Sequence, residues 1–160
     1  MLSDEKNFGP DHPSTARSYS NLALVQKDLG DYERAKALLE KIVLSDEKNF
    51  GTDHPSTARS YSNLALVQKD LGDYERARIL LEKAVLSDEK NFGTDHPNTA
   101  VRYSNLATVL KNLGDYEGAL GLVTKALDVF KKVLPEGHQH VKKVTENYQY
   151  IKDQMNKKRR

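Results

Sequence analysis

Two polar residue types recur along this chain at a constant spacing of 42 positions, and both are capable of binding chemistry. The first is histidine, at positions His12, His54, His96 and His138. A neutral imidazole is a common metal ligand. The second is asparagine, at positions Asn21, Asn63, Asn105 and Asn147. A carboxamide has one acceptor and two donors, so it can pair with both the N–H and the C=O of an extended peptide.

The spacing of the histidines argues against a metal site. Carriers one repeat apart on packed helices are separated by about 8 to 10 Å, whereas zinc requires Zn–N distances of about 2.0 to 2.1 Å. Four such histidines cannot converge on one ion, and the chain has no cysteine to supply a thiolate or a disulfide. We therefore expect no metal and no cofactor, and we assign each histidine to the turn that enters a helix.

Other function classes find no support in the residues. The chain lacks a phosphate-binding Gly-x-x-x-x-Gly-Lys, a Gly-x-Ser-x-Gly and a His-Glu-x-x-His, so we expect a protein that is not an enzyme. The four basic residues at positions 157–160 lack interleaved aromatics and are interpreted as a solubilising end, not a nucleic-acid site. No apolar run approaches the roughly 20 residues of a membrane span. A cytoplasmic location is the default expectation.

The 42-residue spacing reflects a tandem repeat of the whole chain. Residues 2–43 and 44–85 differ at only four positions, and residues 86–127 repeat the second unit with twelve changes and no insertion. A fourth copy has decayed, although His138 and Asn147 keep its phase. We treat residues 1–160 as a single repeat domain in which residues 128–160 hold the end of the last repeat, a final helix and a basic tail. Near-identity of the copies indicates recent duplication or design, as in an excerpt of a longer array.

Each repeat carries the signals of two helices. Small and apolar residues recur at three- and four-residue steps from Ala16 to Leu29, which predicts helix A over about Pro13 to Leu29. After the turn at Gly30, the same periodicity predicts helix B over about Asp31 to Asn49, with Asp31 as its N-cap. No strand pattern occurs in the repeat.

Such helix pairs expose apolar residues on more than one face and must stack on their neighbours. The sequence therefore predicts an all-α, right-handed superhelical solenoid of antiparallel helix pairs. Residues 2–8 match the end of a helix B, so we expect a short helical stub there. Gln139 to about Asn156 has one apolar and one charged face, as expected of a C-terminal capping helix.

Asn21-Leu22-Ala23, Gly30-Asp31-Tyr32-Glu33-Arg34-Ala35 and Leu39 resemble the signature of the tetratricopeptide repeat (TPR) family. The ordinary repeat has 34 residues, and the eight extra residues here lie at the end of helix B and in the following loop. The long form is similar to the repeats of kinesin light chain.

The resemblance implies a protein-interaction scaffold in which the A helices line a groove and one asparagine per repeat holds the backbone of an extended peptide. The matching asparagines are those named above. Flanking positions on the same helix face would set specificity. They are Arg17, Ser20, Leu24 and Lys27 in the first repeat, Arg59, Ser62, Leu66 and Lys69 in the second, and Val101, Ser104, Thr108 and Lys111 in the third.

The chemistry of these positions narrows the ligand. Ser20 and Leu24 stand where a TPR clamp for a terminal carboxylate would place Lys and Asn, so such a clamp is not expected. The arginines and lysines would attract an acidic peptide. Two alternatives stay open: the asparagines bond only within the fold and the cations form a solvated face, or the array is purely structural. In either case the stub leaves the first helix A partly uncovered, which predicts a monomer with weak end-to-end self-association.

Overall fold

The computed structural model describes residues 3–159 and contains, over that range, eight α-helices and no strand. They are α1 (Ser3–Phe8), α2 (Pro13–Asp28), α3 (Tyr32–Phe50), α4 (Pro55–Asp70), α5 (Tyr74–Phe92), α6 (Pro97–Asn112), α7 (Tyr116–Val133) and α8 (Gln139–Lys158). The predicted all-α architecture of sequential helix pairs, with a stub at the start and a long helix at the end, is confirmed. None of the described helices combines the length and apolar character needed to cross a bilayer.

Each A helix begins with a histidine that acts as the N-cap. In α4, Nδ1 of His54 accepts from the backbone N–H of Ser56 at 3.1 Å, and Pro55 occupies the first helical position. The imidazole also stacks on Phe50 at the end of the preceding helix, with ring centroids 4.8 Å apart. His12, His96 and His138 are N-caps in the same way, so the histidines serve the turns, as the sequence indicates.

The turn between helices A and B depends on glycine. At the end of α2, the N–H of Gly30 bonds to the carbonyl of Lys27 at 2.9 Å and that of Asp31 to the carbonyl of Gln26 at 2.8 Å. This is a Schellman motif, which requires a left-handed residue, and Gly30 has φ of 78°. Asp31 then caps α3 by accepting from the N–H of Arg34. Helix bounds consequently fall within about two residues of those predicted.

The chain packs as two compact units, which meet after Ser87. In the first unit α3 packs against both α2 and α4, and its core joins small and large residues such as Ala35, Leu39, Tyr61 and Val67. In the second unit α7 packs against both α6 and α8. There Val123 and Phe130 are buried from α7, and Val144 and Ile151 from α8. The apolar face predicted for the last helix is therefore the face that is covered.

Candidate peptide-binding groove

In the first unit the predicted asparagines lie on the exposed surfaces of α2 and α4. Asn21 and Asn63 are both exposed, so their carboxamides are accessible to a ligand. Each occupies the middle of a 16-residue helix with identical sequence. A stable helix capped at both ends gives such a side chain a fixed origin.

A cavity of about 410 Å³ gathers several of the predicted residues of the first unit. Arg17 and Ser20 reach it from α2, and Arg59 and Asn63 from α4. Asp46 of α3 also lines it, although this carboxylate is buried and its Oδ2 accepts from the Ser60 hydroxyl at 2.5 Å. The cavity thus presents two guanidinium groups and a carboxamide around an acidic group that is already engaged within the fold.

A smaller cleft of about 80 Å³ adjoins these residues. Ser20 and Asn63 also line this cleft, so it is continuous in residues with the larger cavity. Its other predicted members are Leu24, Lys27 and Leu66, and its deep wall includes Leu39 of α3. Apolar side chains beside a carboxamide suit a ligand that pairs its backbone and buries a side chain.

Two predicted positions of the second repeat are placed differently. The Ser62 side chain is only 1 % exposed, so it belongs to the packing of α4 and not to an open surface. The Lys69 ammonium forms an ion pair with Asp70 at 3.0 Å. This second contact is the arrangement that the alternative of a solvated, self-paired face had described.

The second unit has its own cavity of about 360 Å³, lined by the predicted residues Ser104, Thr108, Lys111 and Asn147. Here the asparagine is engaged within the fold. Asn147 Oδ1 accepts from Lys111 Nζ at 2.7 Å, and its Nδ2 donates to Thr108 Oγ1 at 3.3 Å. These bonds tie α8 to α6 across the face that would receive a ligand. Asn105 is half-buried on α6.

Sequence reasoning missed a carboxylate at a repeated position of helix B. Asp46 pairs with Ser60 in the first unit, and Asp88 pairs with Arg102 in the second, where Nε and Oδ2 are 3.0 Å apart. Burial raises the pKa of the Asp88 carboxyl above its ordinary value, while Arg102 acts in the opposite direction. The signal was present, because Ser60 becomes Arg102 in the third repeat while the aspartate is retained.

A threonine at the start of each A helix was missed as well. The hydroxyls of Thr15, Thr57 and Thr99 each donate to the carbonyl of the glycine six residues earlier, at 2.7 Å in all three cases. All three side chains are fully buried. These bonds fix the angle at which each A helix leaves the preceding loop, and hence the direction of the groove-lining residues.

With this geometry in hand, the sequence can be compared with known proteins. A profile of the tetratricopeptide repeat matches residues 2–43, 28–90 and 70–132, which together span most of the chain. The chain belongs to the tetratricopeptide repeat family. No curated protein sequence matches this TPR chain. Tetratricopeptide repeats generally mediate protein–protein interaction.

Solved structures share the fold of this TPR chain. A protein of Podosopora anserina assigned as a kinesin light chain, with nearly identical TPR-like repeats, is 24 % identical with a TM-score of 0.82, covering 98 % of this chain and 74 % of its own. BtubC from P. vanneervenii is 23 % identical with a TM-score of 0.78, covering 89 % and 56 %. The translocator chaperone SycD of Yersinia enterocolitica is 18 % identical with a TM-score of 0.71, covering 91 % and 88 %. These likenesses establish the TPR-like fold.

Proposed function

We propose that this chain is a non-enzymatic interaction module that binds an extended acidic segment of a partner protein on helices α2 and α4. The observation that carries the proposal is the cavity that brings Arg17, Arg59 and Asn63 together on one open face. Guanidinium groups form charge-assisted, often bidentate bonds with carboxylates. The Asn63 carboxamide would pair with the backbone of the same segment.

The second unit supports a division of labour. Val101 replaces the arginine of the earlier repeats, and Asn147 is held by Lys111 and Thr108. A ligand would have to break these bonds to use Asn147. We therefore assign the acidic part of the ligand to the first unit.

The first test is a library of extended nine-residue peptides, sorted by binding to the wild-type chain and then to Asn63→Ala. We expect enrichment of Asp and Glu, and a loss of about 1 to 3 kcal/mol in binding on Asn63→Ala, the cost of an unpaired backbone group. Fluorescence anisotropy measures the affinity, and thermal unfolding measures stability. Because Asn63 is exposed, the midpoint of unfolding should barely change.

Asn112→Ala is the matched control, because Asn112 is an exposed asparagine at the end of α6 that lines neither cavity of its unit named above. It should bind like the wild type. Replacing Arg59 with Ala should weaken binding most at low salt, where the attraction between charges is least screened. A library without acidic preference would refute the ligand class. Loss of stability in Asn63→Ala equal to the loss of affinity would favour the purely structural alternative.

A further inference from the structure

Helices α2 and α4 have identical sequences over 16 residues but differ in what covers them. The Val25 side chain is 53 % exposed, whereas the equivalent Val67 is 2 % exposed. Leu29 is 75 % exposed, while Leu71 packs against the core. Leu22, Val25, Gln26 and Leu29 form a surface on the second half of α2 that we name the edge patch. Since the residues are the same, only the neighbouring helix makes the difference.

The first half of α2 is covered as in α4. The six residues of α1 repeat the last six of α3, and they make the same contacts. The Ser18 hydroxyl donates to Asp4 at 2.5 Å as Ser60 does to Asp46. In α4, however, the earlier part of α3 continues over the second half of the helix, where Leu39 lines one cleft with Leu66 and Val67.

We propose that the edge patch binds an amphipathic helix of the α3 type, supplied by a partner polypeptide. The template is the α3–α4 contact, because α4 carries the same patch residues and α3 is what covers them. The partner helix needs the buried series of Ala35, Leu39 and Ile42, with polar residues where Glu33 and Glu40 are exposed. It would lie in line with α1 and end near Ser3.

A second copy of this chain is a poor source of that helix. α3 packs against both α2 and α4, and α7 against both α6 and α8. Either helix would have to leave two neighbours of its own to cover the edge patch of another molecule. A partner whose helix is free on one side pays no such cost.

The test uses a capped, fluorescent peptide with the sequence of residues 31–42. An i, i+4 crosslink between positions 33 and 37, which are exposed in α3, keeps this short segment helical. We expect saturable binding to the wild-type chain and at least a tenfold loss of affinity in Val25→Asp and in Leu29→Asp. Leu44→Asp is the control, because Leu44 and its equivalent Leu86 are about equally exposed, at 67 % and 66 %. It should bind like the wild type.

Further arms identify the occupant and the surface. The peptide with Leu39→Asp should lose binding, and Asn63→Ala of the chain should retain it, because the edge patch is separate from the groove. Leu29 lies at the C-cap, so Leu29→Asp serves if Val25→Asp lowers the unfolding midpoint. Equal binding by Leu29→Asp and wild type would overturn the proposal. So would a dimer of the chain alone in sedimentation equilibrium that Leu29→Asp abolishes, since the occupant would then be a second copy.

Discussion

Arg102 is the residue at which the repeats diverge most in chemistry. Its guanidinium bonds to Asp88, a carboxylate that is 1 % exposed, whereas the equivalent Asp46 is satisfied by a serine hydroxyl. The other oxygen of Asp88, Oδ1, has no hydrogen-bond partner in the described part of the chain. The carboxylate therefore depends heavily on Arg102, because a buried charge without a partner is strongly destabilising.

This dependence predicts different effects for two substitutions. Arg102→Ala leaves the carboxylate unpaired and should lower the free energy of unfolding by about 3 kcal/mol. Arg102→Ser recreates the residue pair of Ser60 and Asp46 and should lose clearly less. Urea denaturation at neutral pH measures both. If the two variants were equally unstable, the hydroxyl would not be an effective substitute for the guanidinium.

Tyr103 predicts a stability change in alkaline solution. Burial, and then a 2.5 Å bond to Glu89 Oε1, raise the pKa of its phenol above the ordinary value. The folded state therefore keeps the proton when the unfolded state begins to lose it, at about pH 10. This contribution to stability is fully present below that pH and is lost as the pH rises above it.

Tyr103→Phe removes the titrating group, so its stability should fall less than that of the wild type between about pH 9 and about pH 11. At neutral pH the variant should be less stable by about 1 kcal/mol, because Glu89 loses a donor. Chemical denaturation at the two pH values gives both quantities. An identical alkaline loss in the two proteins would mean that other groups cause it.

At the scale of the helix, the turns decide where each element ends. Gly30 has φ of 78°, and a Cβ added there would meet no atom within 4 Å. Gly30→Ala should therefore cost about 1 kcal/mol from the backbone alone. Gly121 lies inside α7, without a positive φ and also without a neighbour within 4 Å. Gly121→Ala should instead stabilise the chain by about 0.5 to 1 kcal/mol. Thermal unfolding of the pair tests the opposite signs.

These turns explain why the helices could be predicted from the sequence. Asp31 and Gly30 act through their own backbone neighbours, so the signal is local and survives in each copy. The engagement of Asn147 could not be predicted, because it depends on Lys111, which is 36 residues away, and lies where the repeat has decayed. The burial of Ser62 was missed for a related reason, since helical spacing fixes an angle on the helix but not the width of the neighbour that covers it.

At the scale of the whole chain, the repeat provides an internal control for stability. Residues 13–28 and 55–70 have the same sequence, so their amides have nearly the same intrinsic exchange rates. Native-state hydrogen exchange by NMR should show slower exchange in α4, where Gln68 is buried, than in α2, where Gln26 is not. The difference should be largest in the second half of the helix. Equal protection would show that neighbouring helices contribute nothing to local stability.

The identity of α2 and α4 also affects how the chain finds its fold. Side chains normally encode which helix pairs with which, but here α3 meets the same 16 residues on both sides. Correct pairing must therefore be specified by connectivity: α3 is joined to α2 by a three-residue turn and to α4 by a four-residue loop. The length of these connections carries information that the helix surfaces do not. A chain with lengthened turns would keep every native contact available and lose the means of choosing among them.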